Sequence, residues 1–377
     1  MPVERPVTEA ELVEVVKAAA AARLSVRMGR PSHARLVKSN QILLDLADYR
    51  RFLRVDREAG EATVEAGITV RRLGEVLGSW GLSLENGGRD PAQTLGAALS
   101  VGAHGSGARF GILATQVTGM RLITPDGAVV SCSATEEPEI FDAARVGLGA
   151  LGVISTVTLR CQSGFNVAAN TASMDLSQAL ERFEVDVDGN DYYELSWLPG
   201  RNRARVVTAN RTIQPADGAA VDRSYRWWNR RRVWPPRIAY SVPRQDAAPA
   251  LQRAMKLSAG SRAGSQRAVG SDGHGEAGSV LVMRRVRELS AGYRPALPFP
   301  IEVSVTAGDD IALSPAYGQA SVHIAGLVGL DGRPQWGSAH GLSVHALRAM
   351  YPQWDAWQAV RDRLDPDRRF SHTRGQG

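Results

Sequence analysis

"AQTLGAALSVGAHGSGARFG", residues 92–111, sets Gly96, Gly102, Gly105, Gly107 and Gly111 among alanines around a single histidine, His104. Glycine admits positive φ and close approach to the main chain, at a cost of roughly 0.5–1 kcal/mol relative to alanine in regular structure. Five glycines in such a run mean one of two things. The chain either folds a crowded turn there or offers a bare wall to a cofactor.

The flanking segments have a mixed character. Upstream, "TEAELVEVVKAAAAARLSVRM" places Thr8 three residues before Glu11, a capping-box signature ahead of a helical pattern. A short strand ending at Gly29 should follow. "VDREAGEATVEAG" reads as a hairpin turning at Ala59-Gly60, and "TVRRLGEVLGSWG" as a helix. Downstream, "VTGMRLITPDGAVVSCS" is a hairpin pinned by Pro125-Asp126-Gly127, and "PEIFDAARVGLGALGVISTVTLRC" is a helix, a glycine turn and a strand. This half is α+β without regular βαβ units. From about residue 165 the pattern alternates like antiparallel sheet, with a turn at Pro199-Gly200. Residues 258–279 are Gly/Ser/Ala-rich and read as a loop. "VHALRAMYPQWDAWQAVRDRLD" closes the chain as a helix.

The 377 residues exceed one comfortable core, so two lobes are expected. Apolar runs such as residues 148–154 fall far short of the roughly 20 residues a membrane helix needs. The first residues lack the apolar core of a secretory signal. Cys132 and Cys161 are the only cysteines, which points to a reducing, cytoplasmic setting. The net charge of +6 is concentrated in "RSYRWWNRRRVWPPR", residues 223–237. Arginines stacked on indoles explain that segment better than a nucleic-acid platform does. The histidines lack the spacing of a metal site, so no metal is expected. "GLGALG" at 147–152 precedes a strand rather than opening a helix, and is a weak dinucleotide signature.

Several ordered stretches together resemble the sugar-lactone and alditol oxidases, flavoproteins of the vanillyl-alcohol-oxidase type. They are "AQTLGAALSVGAHGSGARFGILATQV", "FDAARVGLGALGVISTVTLRC", "FPIEVSVTAGDDIALSPAYG", "RPQWGSAH" and "LDPDRRFS". The resemblance implies an α+β chain with a two-lobed FAD-binding domain over 1–164. It also implies an antiparallel-sheet cap domain over 165–335 and a C-terminal segment, 336–377, returning to the FAD domain. Gly102, Ala103, His104, Gly105 and Ser106 would then line the flavin, with Thr94 under its ring system. Gly29, Arg30, Pro31, Ser32 and His33 would form the pyrophosphate loop, and Gly149, Gly152 and Ile154 would cover the adenosine side. His104 reads as a hydrogen-bonding structural residue.

Three departures shape the expected function. The family's flavin-linking histidine position is taken by Ser32, with His33 one residue late and Pro31 restricting the backbone. Non-covalent FAD is the reading that follows, with His33 the alternative attachment point. The family's Glu-x-Arg pair reads Glu302-Val303-Ser304, and its Trp-Gly-Lys reads Trp336-Gly337-Ser338. The glutamate stays and two cations become serines, so simple polyols and aldonolactones are expected to be poor substrates. Finally, the chain opens at the segment after the family's first strand, and the shorter cap suits a larger sugar- or cyclitol-bearing natural-product intermediate.

Two readings remain open. In the first, Glu302 deprotonates a substrate hydroxyl, flavin N5 takes the hydride, and Ser304, Ser338 and His340 shape the pocket around a small-molecule substrate. In the second, the family member has lost redox chemistry: it holds FAD only structurally, catalyses a non-redox step with Glu302 or a nearby histidine as acid/base, or binds no flavin at all. The oligomeric state is left open.

Overall fold

In a computed structural model the described residues are 3–29, 40–215, 221–223, 238–259, 300–327, 330–338 and 340–370. Helix α1, Glu9–Ala21, starts where the capping box places it. Thr8 Oγ1 accepts from Glu11 N at 3.2 Å, while Glu11 reaches back to Val7 N at 2.8 Å. Its buried Leu12, Val16 and Ala19 pack on a parallel three-stranded sheet of β1 (Val3–Glu4), β2 (Ser25–Met28) and β3 (Gln41–Leu44), ordered β1-β3-β2. The C-terminal Phe370 is buried in the same cluster.

A second sheet contains β4 (Phe52–Asp56), β5 (Glu61–Glu65), β7 (Val117–Ile123), β8 (Val129–Ser133) and β9 (Val153–Arg160) in the order β4-β5-β9-β7-β8. The turns at Gly60 and Gly127 adopt positive φ, and each joins an antiparallel pair as the turn chemistry requires. Strands β6 (Leu82–Ser83) and β10 (Gln162–Ser163) form a small ribbon. Helices α2 (Val70–Ser79), α3 (Leu95–Ser100) and α4 (Pro138–Arg145) share one core with this sheet.

The third sheet has eight strands. They are β11 (Asn166–Met174), β12 (Tyr192–Trp197), β13 (Ala204–Thr212), β14 (Val221–Arg223), β15 (Ala239–Pro243), β16 (Ile301–Thr306), β17 (Ser321–Ala325) and β18 (Arg333–Pro334). Their order is β14-β11-β13-β12-β16-β17-β15-β18, antiparallel throughout. Helices α5 (Leu176–Glu181), α6 (Phe183–Asp188) and α7 (Ala247–Ala259) lie on one face. That face carries Ile301, Val303, Val305, Val322 and Ile324. By strand alternation the opposite face carries Glu302, Ser304, Thr306, His323 and Ser241.

The C-terminal helical segment is two helices rather than the one its periodicity suggests: α8 (Val344–Met350) and α9 (Trp354–Leu364). Pro352 lacks an amide hydrogen and breaks the run. Trp354, Trp357 and Val360 of α9 join the core of the five-stranded sheet, so the chain's end returns to its first half.

Candidate functional site

The polar face of the eight-stranded sheet is not open to water. Ser304, Thr306 and His323 are at most 2% exposed. What covers them is the glycine-rich stretch with which the sequence reading began. Gly107 bridges to Thr306, Phe110 O accepts from Ala307 N at 2.9 Å, and the His104 ring stacks on His323 with centroids 3.7 Å apart.

This contact decides what the glycines are for. A Cβ on Gly105 would collide with Asn86 Oδ1 and the Gly87 carbonyl oxygen. One on Gly107, at φ +126°, would come within 2.7 Å of the Phe110 ring. The crowded-turn alternative therefore explains these two positions: side chains are excluded by neighbouring protein atoms. Gly102 is likewise packed against Pro315. Ala103 and Ser106 are buried in the same run, and Thr94 stands at the N-cap of α3 without a side-chain cap bond. Gly149 and Gly152 both have positive φ in the turn before β9, next to Ile154 at the start of that strand. Gly29 follows β2 and donates to Leu44 O at 3.0 Å. Arg30, Pro31, Ser32 and His33 lie outside the described residues, as does the arginine-tryptophan segment from residue 224 to 237.

Around Glu302 the sheet builds a graded polar site. His323 bonds Ser241 Oγ through Nδ1 at 2.7 Å and Thr306 Oγ1 through Nε2 at 2.9 Å. Burial holds its imidazole well below the usual histidine range, and the nearby His104 and Arg89 push the same way. A neutral ring here donates from one nitrogen and accepts at the other, so the two hydroxyls sit in opposite roles. Ser304 lies between Glu302 and Thr306 on β16. Its hydroxyl is buried with no partner among the described residues.

Glu302 itself is ion-paired to Arg89, whose guanidinium Nη2 donates to Glu302 Oε2. Arg89 belongs to the loop between β6 and α3, in the first half of the chain, 213 residues away. The sequence reading counts Ser304 and Ser338 as two lost cations, and the structure returns a positive charge to Glu302 from another element. Arg89 was missed because "NGGRD" carries no periodicity or motif that links it to β16.

Ser338 and His340 behave differently. Ser338 Oγ donates to Gln335 O at 2.7 Å, closing its own turn. His340 Nδ1 accepts from Leu342 N at 3.2 Å, its ring meets Trp336 edge-on, and burial lowers its basicity. No contact recorded among the described residues brings either side chain to Glu302. Trp336 anchors their turn by donating to Leu313 O at 2.7 Å.

A buried hydroxyl without a partner, beside a paired carboxylate and under a backbone wall, suits a polar ring system inserted at this boundary. Two family models match the chain: an FAD binding domain over residues 2–133, and D-arabinono-1,4-lactone oxidase over residues 327–374. L-gulono-1,4-lactone dehydrogenase of Mycobacterium tuberculosis is 33% identical, with 97% of this chain and 93% of that protein covered. L-gulonolactone oxidase of Bos taurus is 27% identical, covering 92% and 88%. Among solved structures, cholesterol oxidase from Brevibacterium sterolicum superposes with a TM-score of 0.72 at 14% identity, covering 98% and 92%. 6-Hydroxy-D-nicotine oxidase from Arthrobacter nicotinovorans gives 0.70 at 14%, covering 98% and 90%. Those two likenesses show the fold, and the sequence relatives show the rest: the chain belongs to the FAD-dependent sugar-lactone oxidase and dehydrogenase family.

Proposed function

We propose that this FAD-dependent oxidoreductase oxidises the CH–OH group next to the ring carbonyl of an aldonolactone, with Glu302 as the base that takes the hydroxyl proton. The expectation that the two serines make aldonolactones poor substrates gives way because Arg89 returns a cation to Glu302. The observation that carries the reading is the place of Glu302. It is the carboxylate on the polar face of β16, beside the unpartnered Ser304 hydroxyl and under the glycine-rich segment. Bound FAD would supply the acceptor for the hydrogen that leaves carbon with its electron pair. The chain supplies the rest. Glu302 receives the proton, Ser304 offers a hydrogen bond to a substrate oxygen, and the buried, neutral His323 keeps Thr306 and Ser241 fixed. The run from Gly102 to Ser106 and Thr94 would lie along the flavin, with Gly149, Gly152 and Ile154 nearer the adenosine.

One further feature supports a reducing compartment such as the cytoplasm. Cys132 and Cys161 are both buried and unbridged, and burial pushes each thiol up to about 12, which keeps it protonated and inert. Among the described residues no helix is long and apolar enough to cross a membrane.

The test is anaerobic mixing of the purified flavoprotein with L-gulono-1,4-lactone, D-arabinono-1,4-lactone, xylitol and sorbitol. Loss of the flavin absorbance with a lactone, and not with the polyols, is the expected result. A flavin that stays oxidised with every lactone would instead favour the reading in which redox chemistry has been lost.

A further inference from the structure

The pairing of Arg89 with Glu302 joins two parts of the chain that no sequence pattern links. We propose that Arg89 is a positioning and specificity residue. It holds the Glu302 carboxylate across the boundary between the glycine-rich half and the eight-stranded sheet, and it presents its remaining donors to the substrate's carbonyl oxygen. The inference rests on the lactone reading above and deepens it by naming what recognises the carbonyl.

A guanidinium has five N–H donors in a rigid fork. Arg89 spends one on Glu302 Oε2 and makes no other hydrogen bond among the described residues. Its side chain is 25% exposed and that of Glu302 14%, so the pair is neither sealed in the core nor screened like a surface pair. It therefore keeps donors to offer at a site a small molecule can reach. A donor fork beside an accepting carboxylate matches the two adjacent groups of a hydroxy-lactone, a C=O that accepts and an O–H that donates. Ser304 explains why the cation must come from outside β16. Its hydroxyl is fully buried, on the same face as Glu302 and one pleat repeat away. That spacing is about 6.6 Å along a strand, which a long side chain at either position can span.

Neither His323 nor Ser338 can do this work. His323 is held neutral by burial and already bonds Ser241 and Thr306 through its two nitrogens. Ser338 is engaged in its own turn. Among the described residues, Arg89 is the cation that bonds Glu302.

The experiment uses the FAD-loaded full chain and four variants: Arg89→Ala, Arg89→Lys, Ser304→Arg and the double variant Arg89→Ala/Ser304→Arg. Steady-state oxidation of L-gulono-1,4-lactone is followed with a dye acceptor. Loss of a charge-assisted contact should cut kcat/KM for Arg89→Ala at least about tenfold, with KM rising, while flavin content stays at the wild-type level. Arg89→Lys should recover part of the loss. Ser304→Arg should recover activity in the Arg89→Ala background, because one cation is needed and its origin is not; alone, it removes the Ser304 hydroxyl and should fall below wild type. Wild-type kcat/KM in Arg89→Ala, or no recovery in the double variant, would overturn the proposal. A second measurement holds even if the lactone is not turned over. Melting temperatures of Arg89→Ala, Glu302→Gln and their combination should be non-additive, and an additive cycle defeats the pairing itself.

Discussion

In the proposed reaction, Glu302 is the residue on which the chemistry turns. Replacing its carboxylate with the isosteric amide removes a proton acceptor and keeps the shape, so Glu302→Gln should lower kcat by at least about a hundredfold, at the low end of what a general base contributes. FAD content should be unchanged, because the side chain lies on the eight-stranded sheet rather than in the glycine-rich run. Retention of more than a tenth of wild-type kcat would remove Glu302 from its role. The same scale holds the answer to the opening glycines. Gly105 faces Asn86 Oδ1 and the Gly87 carbonyl oxygen, whereas Gly88 has its nearest neighbour, the Ala103 methyl, at 4.0 Å from a built Cβ. Gly105→Ala must push backbone aside and should cost about 1–3 kcal/mol or more. Gly88→Ala should be near neutral in packing. Comparing the two melting temperatures checks this, and equal shifts would mean that the crowding is relieved in solution.

At the level of elements, the loop after β16 carries its own titration. Asp309 accepts from Ser314 Oγ at 2.6 Å and from Ile311 N at 3.0 Å, yet burial outweighs both and pushes its carboxyl up to about 6. The native state therefore binds a proton that the unfolded chain, near 3.8, has already released. The stability tied to that proton is fully present below about 4 and lost as pH rises through about 6. Asp309→Asn can keep the bond from Ile311 N and turn its amide NH2 towards Ser314 Oγ, reversing the second bond, without the charge. Its unfolding free energy relative to wild type should improve between pH 4.5 and 7.5, by an amount on the order of 2 kcal/mol after allowance for partial exposure, as read from denaturant titrations at the two pH values. A difference that is flat with pH would show the carboxyl to be ordinary. Local chemistry of this kind was also what made elements legible from sequence. Thr8 with Glu11, Gly60 and Gly127 each fix a boundary through a bond or a dihedral that depends on nearby residues alone. The C-terminal helix was misread as continuous because its apolar period carries through Pro352, and only the missing amide marks the break. The Arg89–Glu302 pair was illegible for a different reason: it is a tertiary contact across 213 positions, created by how the lobes meet.

The whole molecule depends on that meeting, and Arg211 is where it is most heavily pinned. Its guanidinium, on β13 of the eight-stranded sheet, lies 4.3 Å from the Phe110 ring centroid and 4.4 Å from that of Phe165. It donates to Glu85 O at 3.0 Å, to Gln162 Oε1 at 3.1 Å and to Tyr192 Oη at 3.2 Å. Tyr192 in turn donates to Glu85 O at 2.9 Å. Glu85 leads directly into Asn86 and Arg89, and Phe110 ends the glycine-rich stretch, so one side chain braces both walls of the proposed site. Three cation–π contacts, the third over Tyr192 at 5.9 Å, and three hydrogen bonds, partly buried, are together worth about 2–4 kcal/mol. Arg211→Ala should lower the melting temperature by several degrees. It should also weaken FAD retention, because Phe110 and the 85–89 loop lose their common anchor. Arg211→Lys keeps the charge but not the planar fork, and should rescue little. Thermal melts followed by flavin fluorescence read both effects at once. If Arg211→Ala melts and releases FAD as wild type does, the lobes are held by their apolar contacts alone, and the register of Arg89 against Glu302 is set elsewhere.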